Sequence, residues 1–287
     1  MRTIEQLCRD ALHVISPLAA TQLAPAALDV LRTKAPRLVK KAETLDFRTL
    51  TPVPGGLFDY KVFGPGTVID APALADDEPI GPRKTQFARL ELTLPIVHPL
   101  LVDALPDEVA ERAGWDRGRF ARWRRAEEEP YTALVEALEA AGHDALVMRA
   151  LAVLPPDLRP LARLDDDRWA TSPLNELYRR VISTNERIAK LVEQNAPPPI
   201  IGVERMRLAS AVLHLAMNER CAEPVRDGQG QALTSLIGSC GGSTGLDQGI
   251  AALDRRRADR TADAPTGRLY RVESVVLALG FELRDNA

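Results

Sequence analysis

The chain has 287 residues, enough to bury a real core as one large domain or two small ones. Its formal net charge of −3, from 37 basic and 40 acidic residues, excludes a surface that clings to nucleic acid throughout, because that binding matches phosphates with excess Lys and Arg. Aromatic residues at 5% exclude a broad base-stacking platform, so weak, non-specific nucleic-acid contact is the most that is expected.

In chain order, residues 1 to about 45 read as helical, with apolar residues at Ile4, Leu7, Leu12 and Ile15 and later at Leu28 and Leu31. The N-terminal stretch lacks a signal-peptide core, and no run approaches the length of a membrane span, so the expected address is the cytoplasm. Thr51 to Gly66 is rich in Pro and Gly and predicts loop with short strand pieces. From Thr67 to Gln86, Pro72, Pro79, Pro82 and the run Asp76-Asp77-Glu78 point to an exposed connection. Arg89 to Val102 is short and apolar, with Pro95 and Pro99 expected to break any long element. Residues 103–149 carry mixed charge at helical spacing and predict two surface helices with apolar undersides, marked by Trp115, Phe120, Trp123, Leu134 and Leu138.

The strongest element follows. Ser172-Pro173 offers an N-cap with proline at the first helical position. From Leu174, apolar residues recur at Leu177, Val181, Ile188 and Leu191, a heptad seam with Thr184 in its middle. The helix is expected to stop near Asn195, ahead of Pro197, Pro198 and Pro199. A second helix should start by Val203, with Met206, Ala209, Leu213 and Ala216 as its seam. Facing seams and a short loop predict an antiparallel helical hairpin. Arg179, Arg180, Arg187, Lys190, Glu193, Glu204, Arg205 and Arg207 are candidates for its outer faces. Beyond Ala222 the chain is Gly-rich, then charged at Arg255-Arg256-Arg257, with a last apolar stretch from Val275 to Leu283.

Little in this inventory is chemistry. Cys8, Cys221 and Cys240 are scattered, which fits a reducing compartment rather than a disulfide framework or a zinc site. Three adjacent carboxylates at Asp165, Asp166 and Asp167 point in different directions and read as a solvated turn, whereas a two-metal site needs convergence. His98 has no Cys, Ser or acid spaced to pair with it and reads as a buried, hydrogen-bonded residue. No metal and no cofactor are expected.

The residues also carry a family resemblance. The run ETLDFRTLTP over 43–52, followed by Gly56-Leu57-Phe58 and Phe63-Gly64-Pro65, is the first block. Leu90-Glu91-Leu92 with Pro95 and His98 is the second, and VLPPDLRPL over 153–161 the third. The fourth is Leu164-Asp165, the run RWATS over 168–172, LNELYRRVI over 174–182 and Asn185. In this order the blocks resemble the N-terminal, clamp-forming part of the bacterial RNA polymerase β′ subunit. The resemblance implies an α+β, mainly α fold, β′-clamp-like, with a projecting antiparallel two-helix coiled coil. It divides the chain into residues 1–66, a β′-like segment; 67–89, a linker in place of the family's four-cysteine zinc ribbon; 90–222, a clamp-like core; and 223–287, a divergent C-terminal segment. By the same resemblance, Pro155, Pro156, Asp157 and Arg159 belong to the lid, and 174–220 form the hairpin on which sigma factors dock in the full enzyme. Arg187 and Glu204 match family positions that face sigma, and Thr184 stands where the family has another arginine. With Arg179, Arg180, Lys190 and Arg207 they form the expected partner-binding set.

The family's magnesium-binding aspartate loop has no counterpart here, so no catalysis by the chain alone is expected. The resulting expectation is a non-catalytic transcription protein that binds a sigma factor or another clamp-docking protein. Its alternatives are a split subunit of a divergent polymerase, assembling with the other subunits, and a decoy that mimics the clamp.

Overall fold

The computed structural model describes residues 22–46, 48–64, 69–70, 86–101, 105–114, 128–163, 169–241 and 274–284. At its centre β6 (Ala88–Val97) runs antiparallel to β7 (Val147–Val153), and the short β2 (Arg37–Leu38) lies parallel to the start of β6. The two faces of β7 are built differently. Ala150 and Ala152 are small enough to let helix α1 (Leu28–Lys34) approach closely through Leu31, beside Leu277. Leu151 and Val153 point the other way, into the main core.

Smaller pieces surround this sheet. Strand β1 (Gln22–Pro25) pairs with β10 (Phe281–Arg284), and β3 (Leu45–Asp46) with β4 (Thr51–Pro52). Strand β5 (Ile69–Asp70) runs parallel to β8 (Leu161–Arg163), which is antiparallel to β9 (Trp169–Thr171). Between β4 and β5 sits a single helical turn, α2 (Tyr60–Phe63), capped by the Asp59 carboxylate. Gly56 just before it has to be glycine: a Cβ there would lie 2.3 Å from the carbonyl oxygen of Glu43. Helices α3 (Asp107–Arg112) and α4 (Glu128–Ala140) cover the sheet, α4 burying Tyr131, Leu134, Val135 and Leu138.

The predicted hairpin is α5 (Pro173–Glu193) and α6 (Pro198–Met217), packed against each other and against β6. Ser172 caps α5 by accepting from the Leu174 N–H, and Asn195, in the left-handed region at φ 51°, ends it. Leu174, Leu177, Val181 and Ile188 are buried as the heptad reading predicts, and Tyr178, Ile182 and Asn185 widen the stripe to a full core-facing side. The fold is α+β and mainly α.

Several expectations need correction. The first described residues form a strand before the helix at Leu28, and the segment to residue 45 adds only short strand, so it is not continuously helical. Arg89 to Val102 is no broken segment, because it holds most of the ten-residue strand β6, which passes through Pro95. The ladder with β7 shifts register between Glu91 and Ile96, and a proline without an N–H is tolerated at such an irregularity. Helix α6, expected to have started by Val203, begins at Pro198, so Pro198 and Pro199 belong to it and not to the loop. Prolines 198 and 199 occupy the first turn, whose N–H groups have no intrahelical partner in any residue. Leu191 and Leu213, expected in the seam, are only half-buried, and Leu208, Val212 and Leu215 fill that side of α6 instead. The apolar stretch near the C-terminus, for which no placement was expected, is built into the core: 274–278 is helical and Val275, Val276, Leu279 and Phe281 are buried. The expectations for residues 1–21, Trp115, Phe120, Trp123, the Asp165–Asp167 turn and Arg255–Arg257 fall outside the described residues.

Candidate functional site

The VLPPDLRPL motif is mostly interior. Pro155 and Pro156 are buried, Asp157 is half-buried, and Arg159 is completely buried. Arg159 donates from Nε to the Leu154 carbonyl at 2.7 Å, from Nη1 to Asn175 Oδ1 at 2.9 Å, and from Nη2 to the Leu57 carbonyl at 2.7 Å. Asn175 returns a bond from Nδ2 to the Arg159 carbonyl at 3.0 Å. The guanidinium carbon lies 4.7 Å from the Phe63 ring centroid, 5.1 Å from that of Phe58 and 5.7 Å from that of Tyr178. Burial pulls the Arg159 pKa down to about 10, against the opposing effects of Tyr178 and Asp157, so the group stays charged at neutral pH. One residue thus ties the 56–63 turn, the end of β7 and the start of α5 together.

The hairpin is seated on the sheet by two polar side chains, one from each arm, at the irregular part of β6. Asn185 of α5 accepts from the Thr93 N–H at 2.8 Å and donates to the Glu91 carbonyl at 3.0 Å, serving backbone groups where the regular ladder to β7 is interrupted. Arg205 of α6 donates from Nε to the Pro95 carbonyl at 2.7 Å. The Tyr131 hydroxyl accepts from the Val97 N–H at 2.9 Å just beyond. These contacts fix the base of the hairpin, and from Ala189 to Ile200 every residue is exposed or half-exposed.

The charged residues expected on the outer faces therefore divide. Arg179 and Arg180 are exposed and both pair with Glu176, three and four residues back on the same helix. Lys190 and Glu193 are exposed near the tip. Arg187 and Arg207, with side chains 59% and 60% exposed, both reach the Glu204 carboxylate. Arg205 and Glu204 are not outer-face residues, since both are buried. Spacing alone placed them outside, and their partners, Pro95 and the opposite arm, are remote in sequence. Beside Arg180, residues 222–226 line an open cleft of about 490 Å³ that also presents Arg226.

His98 is buried as expected. Its Nδ1 accepts from the Leu100 N–H at 3.3 Å, so Nε2 carries the proton and donates to the Leu279 carbonyl at 3.0 Å. Burial lowers its pKa to about 4, and the neutral ring packs on Phe281 at 4.8 Å. Among the described residues no three His, Cys, Asp or Glu side chains are grouped to hold a metal ion. Cys221 is a free, half-buried thiol whose pKa burial raises to about 11. No helix among the described residues is long and apolar enough to cross a membrane.

The segment that carries this hairpin is similar in sequence to known proteins. Residues 128–246, which contain the whole hairpin and Arg159, match the family model described as RNA polymerase Rpb1, domain 1. Over 79% of its length the chain is 27% identical to the DNA-directed RNA polymerase subunit beta′ of Chromohalobacter salexigens, covering 23% of that subunit. With the subunit beta′ of Ligilactobacillus salivarius it is 28% identical over 77% of the chain and 26% of the relative. Over a shorter stretch, 35% of the chain and 7% of the relative, identity to the subunit of Methylibium petroleiphilum rises to 47%. The chain is thus similar to the N-terminal region of bacterial RNA polymerase β′ subunits. It spans about a quarter of the length of the relatives that match it along most of its own.

Proposed function

We propose that this protein is a non-catalytic transcription protein whose hairpin binds a sigma factor, or another protein that docks on the polymerase clamp. The observation that carries the reading is a set of exposed guanidinium groups, Arg179, Arg180, Arg187 and Arg207, on the two arms of a hairpin seated on β6, inside the segment that matches the family model. Lys190, nearer the tip, is exposed as well. Long basic side chains on a fixed helical support suit a partner that presents carboxylates, since complementary charge speeds encounter and sets register. In this reading the lid-like motif with Arg159 holds the hairpin's base, and the chain polymerises no RNA by itself.

The test is capture of purified host sigma factors by the full chain, the Arg187→Glu variant, and Arg112→Glu on α3 as a control. Arg187→Glu is expected to weaken capture by on the order of 2 kcal/mol, about thirtyfold, through lost pairing and like-charge contact. The control should bind like the parent. Equal capture by all three would sink the proposed face, and template-dependent nucleotide incorporation by the purified chain would sink the non-catalytic part.

A second reading, a split piece of a divergent polymerase, is favoured by Leu50 and Tyr60, large side chains left 43% and 51% exposed outside the hairpin's own helices. Copurification with the β and α subunits would select it.

A further inference from the structure

We infer that Glu204 is a positioning residue within the hairpin, which aligns Arg187 and Arg207 from opposite arms as a paired receptor for a carboxylate on the docking partner, and does not itself touch that partner. The inference rests on the reading of the hairpin as a partner-binding face. Its starting point is a mismatch of exposure across one three-residue cluster. The Glu204 side chain is 8% exposed, whereas those of the two arginines it holds are more than half exposed. A partner lying on the hairpin therefore meets guanidinium, with the carboxylate beneath it.

The geometry gives the carboxylate a reason to be there. Arg187 Nη1 reaches both Glu204 oxygens at 3.5 Å from the other arm, and Arg207 Nη1 reaches Oε1 from one turn further along the same helix. A carboxylate this buried is costly unless it is paired, so it restrains both arginines. Arginine otherwise spreads over many rotamers, and restraint before docking removes part of the ordering cost. Each guanidinium commits only Nη1. Among the described residues the Nε and Nη2 groups of Arg187 and Arg207 have no partner, which leaves donors in the fork geometry that accepts a carboxylate. Two cations against one anion also leave the cluster with a net positive charge. The partner group is accordingly an Asp or Glu side chain, presented on an element that crosses both arms at once.

The experiment is a mutant cycle in the full chain, with affinity for the same purified sigma factor as the readout. Glu204→Gln keeps the volume and removes the charge, and is expected to weaken binding about tenfold. In an Arg187→Ala/Arg207→Ala background the same change is expected to add less than about twofold, because nothing remains for it to position. A tenfold loss in both backgrounds would overturn the inference while leaving the docking reading intact, since direct contact or general loosening of the hairpin acts regardless of the arginines. No binding by the parent protein would overturn the docking reading, and this inference with it.

Discussion

Arg159→Ala is expected to destabilise the protein by on the order of 4 kcal/mol or more. The side chain is wholly buried, and its removal leaves the Leu154 and Leu57 carbonyls and Asn175 Oδ1 without their donor. Each orphaned buried acceptor costs roughly 1–3 kcal/mol, and the void between Phe58, Phe63 and Tyr178 adds to that. Arg159→Lys keeps the charge, but its three donors leave a single nitrogen and cannot span the acceptors set around the guanidinium plane, so it should recover only part of the loss. Urea denaturation of the three proteins decides the matter. A midpoint for Arg159→Ala within error of the parent would show that the buried guanidinium is not the tie that its hydrogen bonds indicate.

The second large effect is a loss of stability in acid that traces to His98. Its folded pKa of about 4 lies below the unfolded value of 6.5, so the native state favours the neutral ring. Above pH 6.5 both states are neutral there and the contribution is fully present. As pH falls from 6.5 to 4, the unfolded chain takes up a proton that the folded chain refuses, and stability declines by on the order of 3 kcal/mol. Below pH 4 this group contributes no further change. His214, whose pKa burial also lowers, acts in the same direction. The check is denaturation between pH 7.5 and 4.5 for the parent and His98→Gln. The variant should be weaker at pH 7.5, having lost ring packing, yet fall less steeply. Parallel curves would remove His98 as the cause.

The hairpin was legible because everything that makes it is local: a cap at Ser172, a proline at the first position, a stripe at helical spacing, and prolines at the turn. The buried state of His98 was legible too, from the absence of any partner spaced for chemistry. What the sequence hid depends on distant residues. Pro95 reads as a breaker until Arg205, 110 residues away, meets its carbonyl and Asn185 takes over the neighbouring backbone groups. Glu204 and Arg205 look like surface charges on a helix, and only the opposing arm and the edge of β6 bury them. In the VLPPDLRPL block the letters marked a family but not a burial. Arg159 became interior through Leu57 and the rings of the 56–63 turn, about a hundred residues upstream.

The pairing of β1 with β10 bears on how the chain comes off the ribosome. Gln22 faces Arg284 across nearly the whole described sequence, and Leu31 shares its small cluster with Ala150, Ala152 and Leu277. Such a pairing closes a very long loop and cannot form during most of translation. The hairpin can assemble as soon as it is synthesised, but the alanine face of β7 and its helix must wait for residues 274–284. A nascent chain stalled before that point would carry a formed hairpin on an open core, a species prone to chaperone capture and aggregation.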